Sequence, residues 1–401
     1  MPEDVASIGE LFARHVAWTS ASPLGWQIES AEGPFLYTSD GRRIVDLISG
    51  IAVSALGHRH PRVVDAIRRQ VDRHLHVMVY GEFVQEPQVR LAACLASHLP
   101  SQLQVTYFTN SGTEANEGAL KLSRKYTGRN RVVAFDNSYH GDTLGSLSVT
   151  GREVYRRPFL PLLPAVSFLP FDDERALDAI DGLTACVITE PIQGEGGVRV
   201  PSDSWFRALR ARCSSAGALL VFDEVQTGFG RTGTLFAFEQ FGVVPDILTL
   251  AKAMGGGMPL GAFVSSAAIM ATLRTDPPLS HVTTFGGHPV SCAAGEAALR
   301  VLLDEGLPER AREIGLRVRR RLQHPEIREI RGRGALLGME LSDPALTQRV
   351  VHEALGRDVL IGWTLHSETL VRLAPPLNIA WDILDEALDQ ILAALDIAAR
   401  T

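Results

Sequence analysis

Residues 218–252, "ALLVFDEVQTGFGRTGTLFAFEQFGVVPDILTLAK", contain two short apolar runs that each end in charged residues. The first run leads into Asp223 and Glu224, and the second leads into Lys252. Neither run alternates apolar and polar residues, which is typical of strands buried on both faces in a parallel sheet. Three similar runs occur upstream, at residues 105–110, 131–135 and 185–191. Because helical patterns such as "SGTEANEGALKLSRKY" separate the runs, the sequence predicts an α/β fold with a mostly parallel sheet flanked by helices.

The unusual polar residues of this chain lie where the predicted strands end. In open α/β sheets, ligands bind just beyond the carboxyl ends of the strands, and these ends share one edge of the sheet. Five polar clusters at five strand ends therefore predict one binding site. The clusters are residues 111–113, Tyr139 with His140, residues 190–195, residues 223–226, and Lys252.

Length and composition restrict the class of protein. The 401 residues exceed what one hydrophobic core usually organises, so we expect a large domain and a smaller one. A formal net charge of -7 argues against nucleic acid or an anionic membrane as the main partner. The four cysteines lack zinc-binding spacing, and neither a secretory signal nor a membrane-length apolar run is evident. We expect a cytoplasmic protein without a metal site.

The two ends of the chain differ in pattern from its middle. "PFLYTSDGRRIVDL", residues 34–47, indicates a hairpin with its turn at residues 39–41. From residue 292 onward there is one long helix, or two joined at residues 306–308, then two strand-like segments, "GRGALLGMEL" and "ETLVRLAPPL", and a final helix near residues 381–399. We predict a large domain at residues 57–300, and a small α+β domain of residues 301–401 that the N-terminal residues 1–56 join.

Lys252 is one of only three lysines in a chain that otherwise uses arginine. Arginine does not lose its proton in a protein, whereas a buried lysine can, and its free amine is then a nucleophile. A solvated or salt-bridged lysine is the alternative interpretation of this single residue. The apolar and glycine-rich surroundings, "ILTLAKAMGGGMPLGA", favour the nucleophile.

The segment "NSGTEANEGALK" has small residues directly before a predicted helix. Free backbone N–H groups and the positive end of the helix dipole make such a start an anion site, to which Ser111 and Thr113 can add hydroxyl groups. An ordinary helix N-cap at Ser111 or Thr113, with Glu114 in the first turn, explains the same residues.

Other strand ends offer groups that suit a planar, charged ligand. Asp223 could accept a hydrogen bond from a pyridinium N–H or pair with a local arginine such as Arg231. Gln226 could bind a ring hydroxyl or only line the loop. Tyr139 offers a surface for ring stacking, while His140 and Asp142 could be acid–base groups or ordinary loop residues. Together, an anion cradle, a stacking ring, a carboxylate and a lone lysine describe a site for pyridoxal 5'-phosphate (PLP).

With these residues and motifs, the chain resembles the class III PLP-dependent aminotransferases, in particular the ornithine and acetylornithine subgroup, from about residue 34 to residue 377. The resemblance implies PLP enzyme fold type I. The motifs that carry it are "SGIAVSALGHRHP", "FTNSGTEANEGALKLSRK", "YHGDTLGSLSVTG", "EPIQGEGG", "VFDEVQTGFGRTG", "LAKAMGGGMPLGA", "TTFGGHP", "GRGALLGMEL" and "VRLAPPL".

The resemblance implies a complete set of cofactor residues. Lys252 would form the Schiff base with PLP and move the proton, with Asp223 at the ring nitrogen. Thr284 would reach the phosphate from a neighbouring subunit, which implies a homodimer with shared active sites; a plain turn hydroxyl is the alternative for Thr284. The full cofactor set is Ser111, Gly112, Thr113, Tyr139, His140, Asp223, Val225, Gln226, Lys252 and Thr284.

Four residues are expected to contact substrates, namely Glu195, Arg372, Asp142 and Thr283. Arg372 matches the arginine that binds the α-carboxylate of glutamate and 2-oxoglutarate, and Glu195 matches the glutamate that pairs with it. Asp142 departs from the ornithine and acetylornithine pattern, in which an arginine grips the far carboxylate of the substrate. An acid there would repel a carboxylate or attract an amine, as in the similar "YHGDT" of diaminopelargonate aminotransferases.

We therefore expect a ping-pong transaminase that takes an ornithine-like amino acid, a diamine or an ω-amino acid as donor and 2-oxoglutarate or a similar oxo acid as acceptor. A diaminopelargonate-type enzyme, or a racemase or aminomutase of the same fold, is the alternative. A binding protein of this fold is disfavoured by the presence of Lys252 and Asp223. A nucleotide-binding enzyme is disfavoured because no GxxxxGK[ST] or GxGxxG motif follows a strand.

Overall fold

The computed structural model describes residues 7–364 and 367–400. Residues 1–6 of the predicted N-terminal segment, and residues 365, 366 and 401 of the predicted C-terminal domain, lie outside the described residues. The strands are β1 (Ile28–Glu32), β2 (Phe35–Thr38), β3 (Arg43–Asp46), β4 (Val105–Thr109), β5 (Arg131–Phe135), β6 (Val166–Leu169), β7 (Thr184–Thr189), β8 (Leu219–Asp223), β9 (Ile247–Leu250), β10 (Gly261–Ser265), β11 (Ile327–Arg333), β12 (Leu336–Leu341), β13 (Val359–Leu360), β14 (Gly362–Thr364) and β15 (Ser367–Leu373).

The α-helices are α1 (Ile8–His15), α2 (Ser49–Ala52), α3 (Pro61–Arg73), α4 (Glu86–Ser97), α5 (Gly112–Thr127), α6 (Leu144–Ser148), α7 (Glu153–Arg156), α8 (Asp203–Ala216), α9 (Ala267–Met270), α10 (Pro289–Asp304), α11 (Leu307–Arg321), α12 (Pro344–Gly356) and α13 (Trp381–Ala398). In the described part of the chain, no helix is both long and apolar enough to cross a membrane.

The central sheet has seven strands in the order β4-β10-β9-β8-β7-β5-β6. Six of its strands run in one direction, while β10 is antiparallel to both of its neighbours, β4 and β9. All five predicted strands are present, and the predicted mostly parallel sheet is confirmed. Strands β6 and β10 are additional to the prediction.

Both faces of this sheet are buried, which explains why its strands do not alternate in sequence. Leu220 and Phe222 of β8 pack into one apolar cluster with Phe206 of α8. Leu219 and Val221 pack into a second cluster on the opposite face, with helix α5. Every side chain of β7, β8, β9 and β10 is buried, so every position favours an apolar residue.

The two ends of the chain pack on each other. The predicted hairpin forms as β2 and β3, and β3 also pairs in parallel with β13 from the C-terminal region. Strands β11, β12, β15 and β14 form an antiparallel sheet beside helices α11 and α12, and α13 packs on these two helices. The predicted long helix is two helices, α10 and α11, with Gly306 between them. The domain boundaries at residues 56 and 300 stay a prediction, and the second falls within α10.

Candidate active site

A cavity of about 720 Å³ lies at the carboxyl ends of the central strands. Most of the residues predicted from the strand ends line it, although they are distant in sequence. They are Ser111, Gly112, Thr113, Tyr139, His140, Asp142, Glu195, Asp223, Val225, Gln226 and Lys252. The parallel strands bring these residues together because their carboxyl ends meet at one edge of the sheet.

Three predicted residues stand apart from the cavity lining of the described chain. Arg372, in β15, lies directly behind Glu195, to which it is bonded. Thr283 accepts a hydrogen bond from Asn110 Nδ2 at 3.3 Å and lines a separate apolar cavity. The side chain of Thr284 is exposed, and its carbonyl oxygen accepts a hydrogen bond from His76 Nε2 at 2.8 Å. The role of Thr284 towards a neighbouring subunit stays a prediction.

One wall of the cavity is the start of helix α5. Ser111 is its N-cap and accepts a hydrogen bond from the Glu114 N–H at 3.3 Å, so the ordinary capping interpretation of Ser111 is correct. Gly112 and Thr113 lie in the first turn, where the helix offers their N–H groups no carbonyl partner. A Cβ on Gly112 would lie 2.7 Å from Val225, so only glycine lets the helix start approach the β8 loop this closely. The free amides make this wall suitable for an anion.

The floor of the cavity carries Asp223 at the end of β8. Its Oδ2 atom accepts hydrogen bonds from Asn116 Nδ2 and from His140 Nδ1, each at 2.8 Å. Its Oδ1 atom accepts one from the N–H of Val225 at 3.0 Å. Asp223, Asn116 and His140 are all buried, so this carboxylate is fully enclosed except towards the cavity. The proposed pairing of Asp223 with Arg231 does not occur, because the Arg231 side chain bonds the carbonyl oxygen of Pro375.

Lys252 follows β9 and adopts a left-handed backbone conformation, with φ near 50°. Residues other than glycine rarely adopt this backbone conformation, and those that do cluster at functional sites. Burial lowers the pKa of the Lys252 ammonium, while the nearby Glu195 carboxylate acts in the opposite direction. With its amide oxygen facing these two side chains, Gln226 accepts hydrogen bonds from Lys252 Nζ and Arg372 Nη1, at 3.3 Å each.

Glu195 and Arg372 form a buried ion pair next to Lys252. Glu195 belongs to the loop after β7, and Arg372 to β15 of the C-terminal sheet. The pair therefore links two separate sheets at the cavity wall. Because each charge neutralises the other in a desolvated place, removal of either partner leaves a costly unpaired charge.

The loop that carries Tyr139 is held from below by Glu190. The Glu190 carboxylate accepts hydrogen bonds from the N–H groups of Tyr139, at 3.0 Å, and Gly194, at 2.9 Å. Burial raises the pKa of Glu190 to about 7. The Tyr139 hydroxyl donates to Asp142 Oδ2 at 2.7 Å, and burial followed by this contact raises the Tyr139 pKa. Asp142 is thus an exposed carboxylate at the cavity rim that is hydrogen-bonded to the Tyr139 hydroxyl.

Sequence reasoning missed two buried polar residues at this site, Asn116 and Thr249. Asn116 lies in α5 beside the apolar stripe formed by Ala115 and Ala119, and Thr249 interrupts the apolar strand "ILTL". A polar side chain in an otherwise apolar buried element needs a hydrogen-bond partner, so a single polar residue within an apolar run could have indicated a buried polar contact. The partner itself, 133 residues away for the Thr249–Asn116 bond, is visible only in the folded chain.

These groups suit PLP, which presents a phosphate, a protonated ring nitrogen and an aldehyde. The cavity provides free helix amides, a buried carboxylate and a desolvated amine at separate positions. The fold and the site together define a PLP-dependent enzyme of fold type I. The chain belongs to the class III aminotransferases, since residues 17–395 match that family. It is therefore a PLP-dependent transaminase, and the resemblance inferred from its motifs is confirmed.

Relatives with known names and structures support this assignment. An acetylornithine aminotransferase of Methanopyrus kandleri is 43% identical over 367 residues, covering 91% of this chain and 92% of that protein. One from Streptomyces coelicolor is 44% identical over 375 residues, covering 92% and 91%. The solved ornithine aminotransferase from Toxoplasma gondii, crystallised with oxidised glutathione, matches with a TM-score of 0.90 and 31% identity, covering 98% of this chain and 94% of that one.

Proposed function

We propose that this transaminase moves an amino group from an ornithine-like amino acid, a diamine or an ω-amino acid to 2-oxoglutarate or a similar oxo acid. The observation that carries the proposal is the position of Lys252 beside the Glu195–Arg372 ion pair, of which Glu195 lines the same cavity as Lys252. A transaminase needs a nucleophilic amine and a site that binds a carboxylate reversibly, and these residues supply both.

Residues on several walls of the cavity would hold the cofactor. The first-turn amides of α5, at Gly112 and Thr113, suit its phosphate, with Ser111 beside them. Asp223, held by His140, suits its ring nitrogen, and Gln226 its ring hydroxyl. The ring of Tyr139 and the side chain of Val225 suit its two faces. When bound, PLP supplies an aldehyde that condenses with amines and a ring that accepts electrons from the substrate carbon.

Lys252 acts as the covalent anchor of the cofactor and then as the base. Its lowered pKa favours a neutral amine, which would move a proton from the substrate carbon to the aldehyde carbon supplied by PLP, and in the opposite direction in the second half-reaction. Its hydrogen bond to Gln226 keeps the amine at the floor of the cavity between these transfers. Water access is limited by the surrounding buried side chains, which strengthens the electrostatic effects on the amine.

The Glu195–Arg372 pair acts as a gate between two kinds of substrate. While the pair is closed, Arg372 is neutralised and the cavity accepts a substrate end without an α-carboxylate. When an oxo acid enters, its carboxylate can replace Glu195 on the guanidinium, which is able to bind a carboxylate through two parallel hydrogen bonds. Two substrates can therefore use one site in turn, which supports a ping-pong sequence.

Asp142 favours a donor that carries a second positive charge. Its carboxylate lies at the rim of the cavity, attached to the Tyr139 hydroxyl, where it attracts an ammonium group and repels a carboxylate. Ornithine-like amino acids and diamines have such a group. Acetylornithine is the second candidate donor because the curated relatives with 43% and 44% identity carry that name.

A homodimer with shared active sites is part of the proposal. Thr284 is exposed and outside the cavity of its own chain, so it is available to a neighbouring subunit. Exposed apolar side chains surround this region, including Phe285 at 54% exposure and Phe83 at 53%. We also propose a cytoplasmic location, since the four cysteines are unpaired among the described residues.

A half-reaction screen tests the proposed donor class. Purified enzyme loaded with PLP is mixed with ornithine, putrescine, an ω-amino acid or acetylornithine, without oxo acid, and the visible absorbance is followed. We expect ornithine and putrescine to react faster than acetylornithine, and 2-oxoglutarate to restore the absorbance. Much faster reaction with acetylornithine would overturn the assignment made from Asp142. Racemisation of an amino acid without any need for an oxo acid would overturn transamination.

A further inference from the structure

A chain of buried hydrogen bonds runs behind Asp223, away from the cavity. The Thr249 hydroxyl donates to Asn116 Oδ1 at 2.7 Å, and Asn116 Nδ2 donates to Asp223 Oδ2 at 2.8 Å. The same Nδ2 atom donates to the carbonyl oxygen of His140 at 2.7 Å. Thr249 and Asn116 are at most 1% exposed, so water does not compete for these bonds.

The Thr249 hydroxyl determines which way the Asn116 amide faces. Because Thr249 also lies directly opposite Asp223 in the β8–β9 pairing, its hydroxyl is held in place by the sheet. It occupies the amide oxygen of Asn116, so both amide N–H groups must point at acceptors, one of which is the Asp223 carboxylate. A reversed amide would direct its oxygen at that carboxylate, which is electrostatically unfavourable.

The network leaves Asp223 one acceptor position for the cavity. A carboxylate offers about four lone-pair sites. Asn116, His140 and the Val225 N–H occupy three of them. The remaining site faces the cavity, where Asp223 is part of the lining. Without the donors behind it, the Asp223 carboxylate could rotate, and its free acceptor site would no longer be directed at the cavity alone.

A role in packing alone does not explain this choice of residues. Apart from Ser123 of α5, the other inward side chains of the elements that carry Asn116 and Thr249 are apolar. Apolar residues of similar size would fill the same space without any need for hydrogen-bond partners. The observed pair satisfies its own polar atoms only by binding Asp223 and the carbonyl oxygen of His140 next to it.

We infer that Asn116 and Thr249 are positioning residues that orient the Asp223 carboxylate towards the ring nitrogen of PLP. The inference rests on the proposed function, in which Asp223 pairs with that nitrogen. It predicts that the two residues govern how strongly the enzyme distinguishes PLP from an analogue with a C–H group in place of the ring nitrogen. General damage to the site would instead weaken the binding of PLP and of the analogue equally.

The test measures this selectivity by equilibrium exchange. The holoenzyme is dialysed against mixtures of PLP and the ring-carbon analogue, and the bound ratio is determined by mass spectrometry after denaturation. We expect Thr249→Val to lower the preference for PLP roughly fivefold, as for the loss of one buried hydrogen bond. Asn116→Leu, which removes the donor itself, should lower it about tenfold or more. Thr249→Ser, which keeps the hydroxyl, should restore the wild-type ratio.

Thr347→Val is the matched control. The Thr347 hydroxyl is also buried and donates to one carbonyl oxygen, that of Asp343 at 2.9 Å, but it lies in α12. This variant should keep the wild-type ratio. A wild-type ratio in both Thr249→Val and Asn116→Leu would overturn the inference, and so would an equal change in Thr347→Val.

Asp223→Asn separates this inference from the proposed function. If Asp223→Asn abolishes the preference for PLP while the Thr249 and Asn116 variants keep it, only the positioning role is wrong. If Asp223→Asn itself keeps the wild-type ratio, the proposed role of Asp223 is wrong and the inference is overturned with it.

Discussion

The carboxylate of Glu195 and the guanidinium of Arg372 are bonded to each other inside the protein, although 177 residues separate them. The side chains are 8% and 6% exposed, so the pair is desolvated. In an ion pair of this kind, each partner depends on the other, because an unpaired buried charge is strongly unfavourable. Any substrate that binds Arg372 must therefore replace Glu195, which makes the pair the natural place to test substrate exchange.

Replacing the carboxylate with an amide should affect the two substrates in opposite directions. In Glu195→Gln, Arg372 keeps its charge without a carboxylate partner, so we expect the KM for 2-oxoglutarate to fall about tenfold and the KM for putrescine to rise about tenfold. Steady-state kinetics with each substrate varied will measure both. The exposed Glu329→Gln, which alters a carboxylate at Arg331, is the control and should change neither. A shift of both KM values in the same direction would contradict the gate.

The charge at position 142 should decide which donors the enzyme prefers. We expect Asp142→Arg to raise kcat/KM for acetylornithine and to lower it for putrescine, each by about tenfold, since an arginine binds a carboxylate and repels an ammonium group. Asp142→Asn should lower only the value for putrescine. The measurement is kcat/KM for both donors with all three enzymes. Unchanged relative specificity in Asp142→Arg would show that Asp142 does not contact the donor.

Removing the amine of Lys252 should abolish turnover without preventing cofactor binding. We expect kcat of Lys252→Ala to fall by roughly four orders of magnitude, because both the covalent anchor and the base are lost. Stopped-flow and steady-state assays measure the loss, and mass spectrometry shows whether PLP remains bound without a covalent bond. Lys125→Ala is the control, since that amine binds Ser280 Oγ at 3.0 Å outside the cavity. Substantial residual activity in Lys252→Ala would refute the mechanism.

Glu224 should make the stability of the fold depend on pH. Burial raises the pKa of Glu224 to about 7, although it accepts hydrogen bonds from the N–H groups of Ala237 and Phe238. A raised folded-state pKa contributes stability that is present below about pH 4.5 and is lost as the pH rises through about 7. The loss is on the order of 3 kcal/mol for a shift of this size.

Urea unfolding of wild type and Glu224→Gln at pH 5 and pH 8 will measure this effect. The amide cannot ionise, so the variant lacks this part of the pH dependence. We expect the free energy of unfolding of Glu224→Gln to be lower than that of wild type, and we expect this difference to be smaller at pH 8 than at pH 5. The loss of stability that follows from replacing an acceptor oxygen with an NH2 group is the same at both pH values, so it does not affect that comparison. A deficit equal at both values would show that Glu224 does not titrate in this range.

Gly118 should not tolerate a methyl group, although it lies within helix α5. Alanine usually stabilises a helix interior relative to glycine. Here a Cβ atom would overlap the ring of Phe263, which is itself fully buried. We expect Gly118→Ala to lower the free energy of unfolding by about 2 kcal/mol. Gly356→Ala is the control, because a Cβ there meets no atom within 4 Å, and thermal unfolding should show little change.

Much of the fold could be predicted because burial on both faces leaves a direct mark on the sequence. Strands β7, β8 and β9 are buried at every position and are therefore mostly apolar, with Thr184, Thr189, Asp223 and Thr249 as their polar residues. Burial alone does not reveal strand direction, since an apolar run looks alike in parallel and antiparallel pairing, and the parallel direction was predicted only from the helical patterns that separate the runs. The antiparallel insertion of β10 between β4 and β9 was therefore not predicted.

By itself, the sequence determined the parallel sheet, the edge at which its polar residues gather, and the lysine that could serve as a nucleophile. These follow from local composition, because apolar runs and the groups that end them are consecutive in the chain. Only the tertiary structure decided that Arg372 contacts Glu195, and that Thr249 reaches Asp223 through Asn116. Those contacts depend on how separate elements pack, and packing is set by the whole core rather than by any one segment.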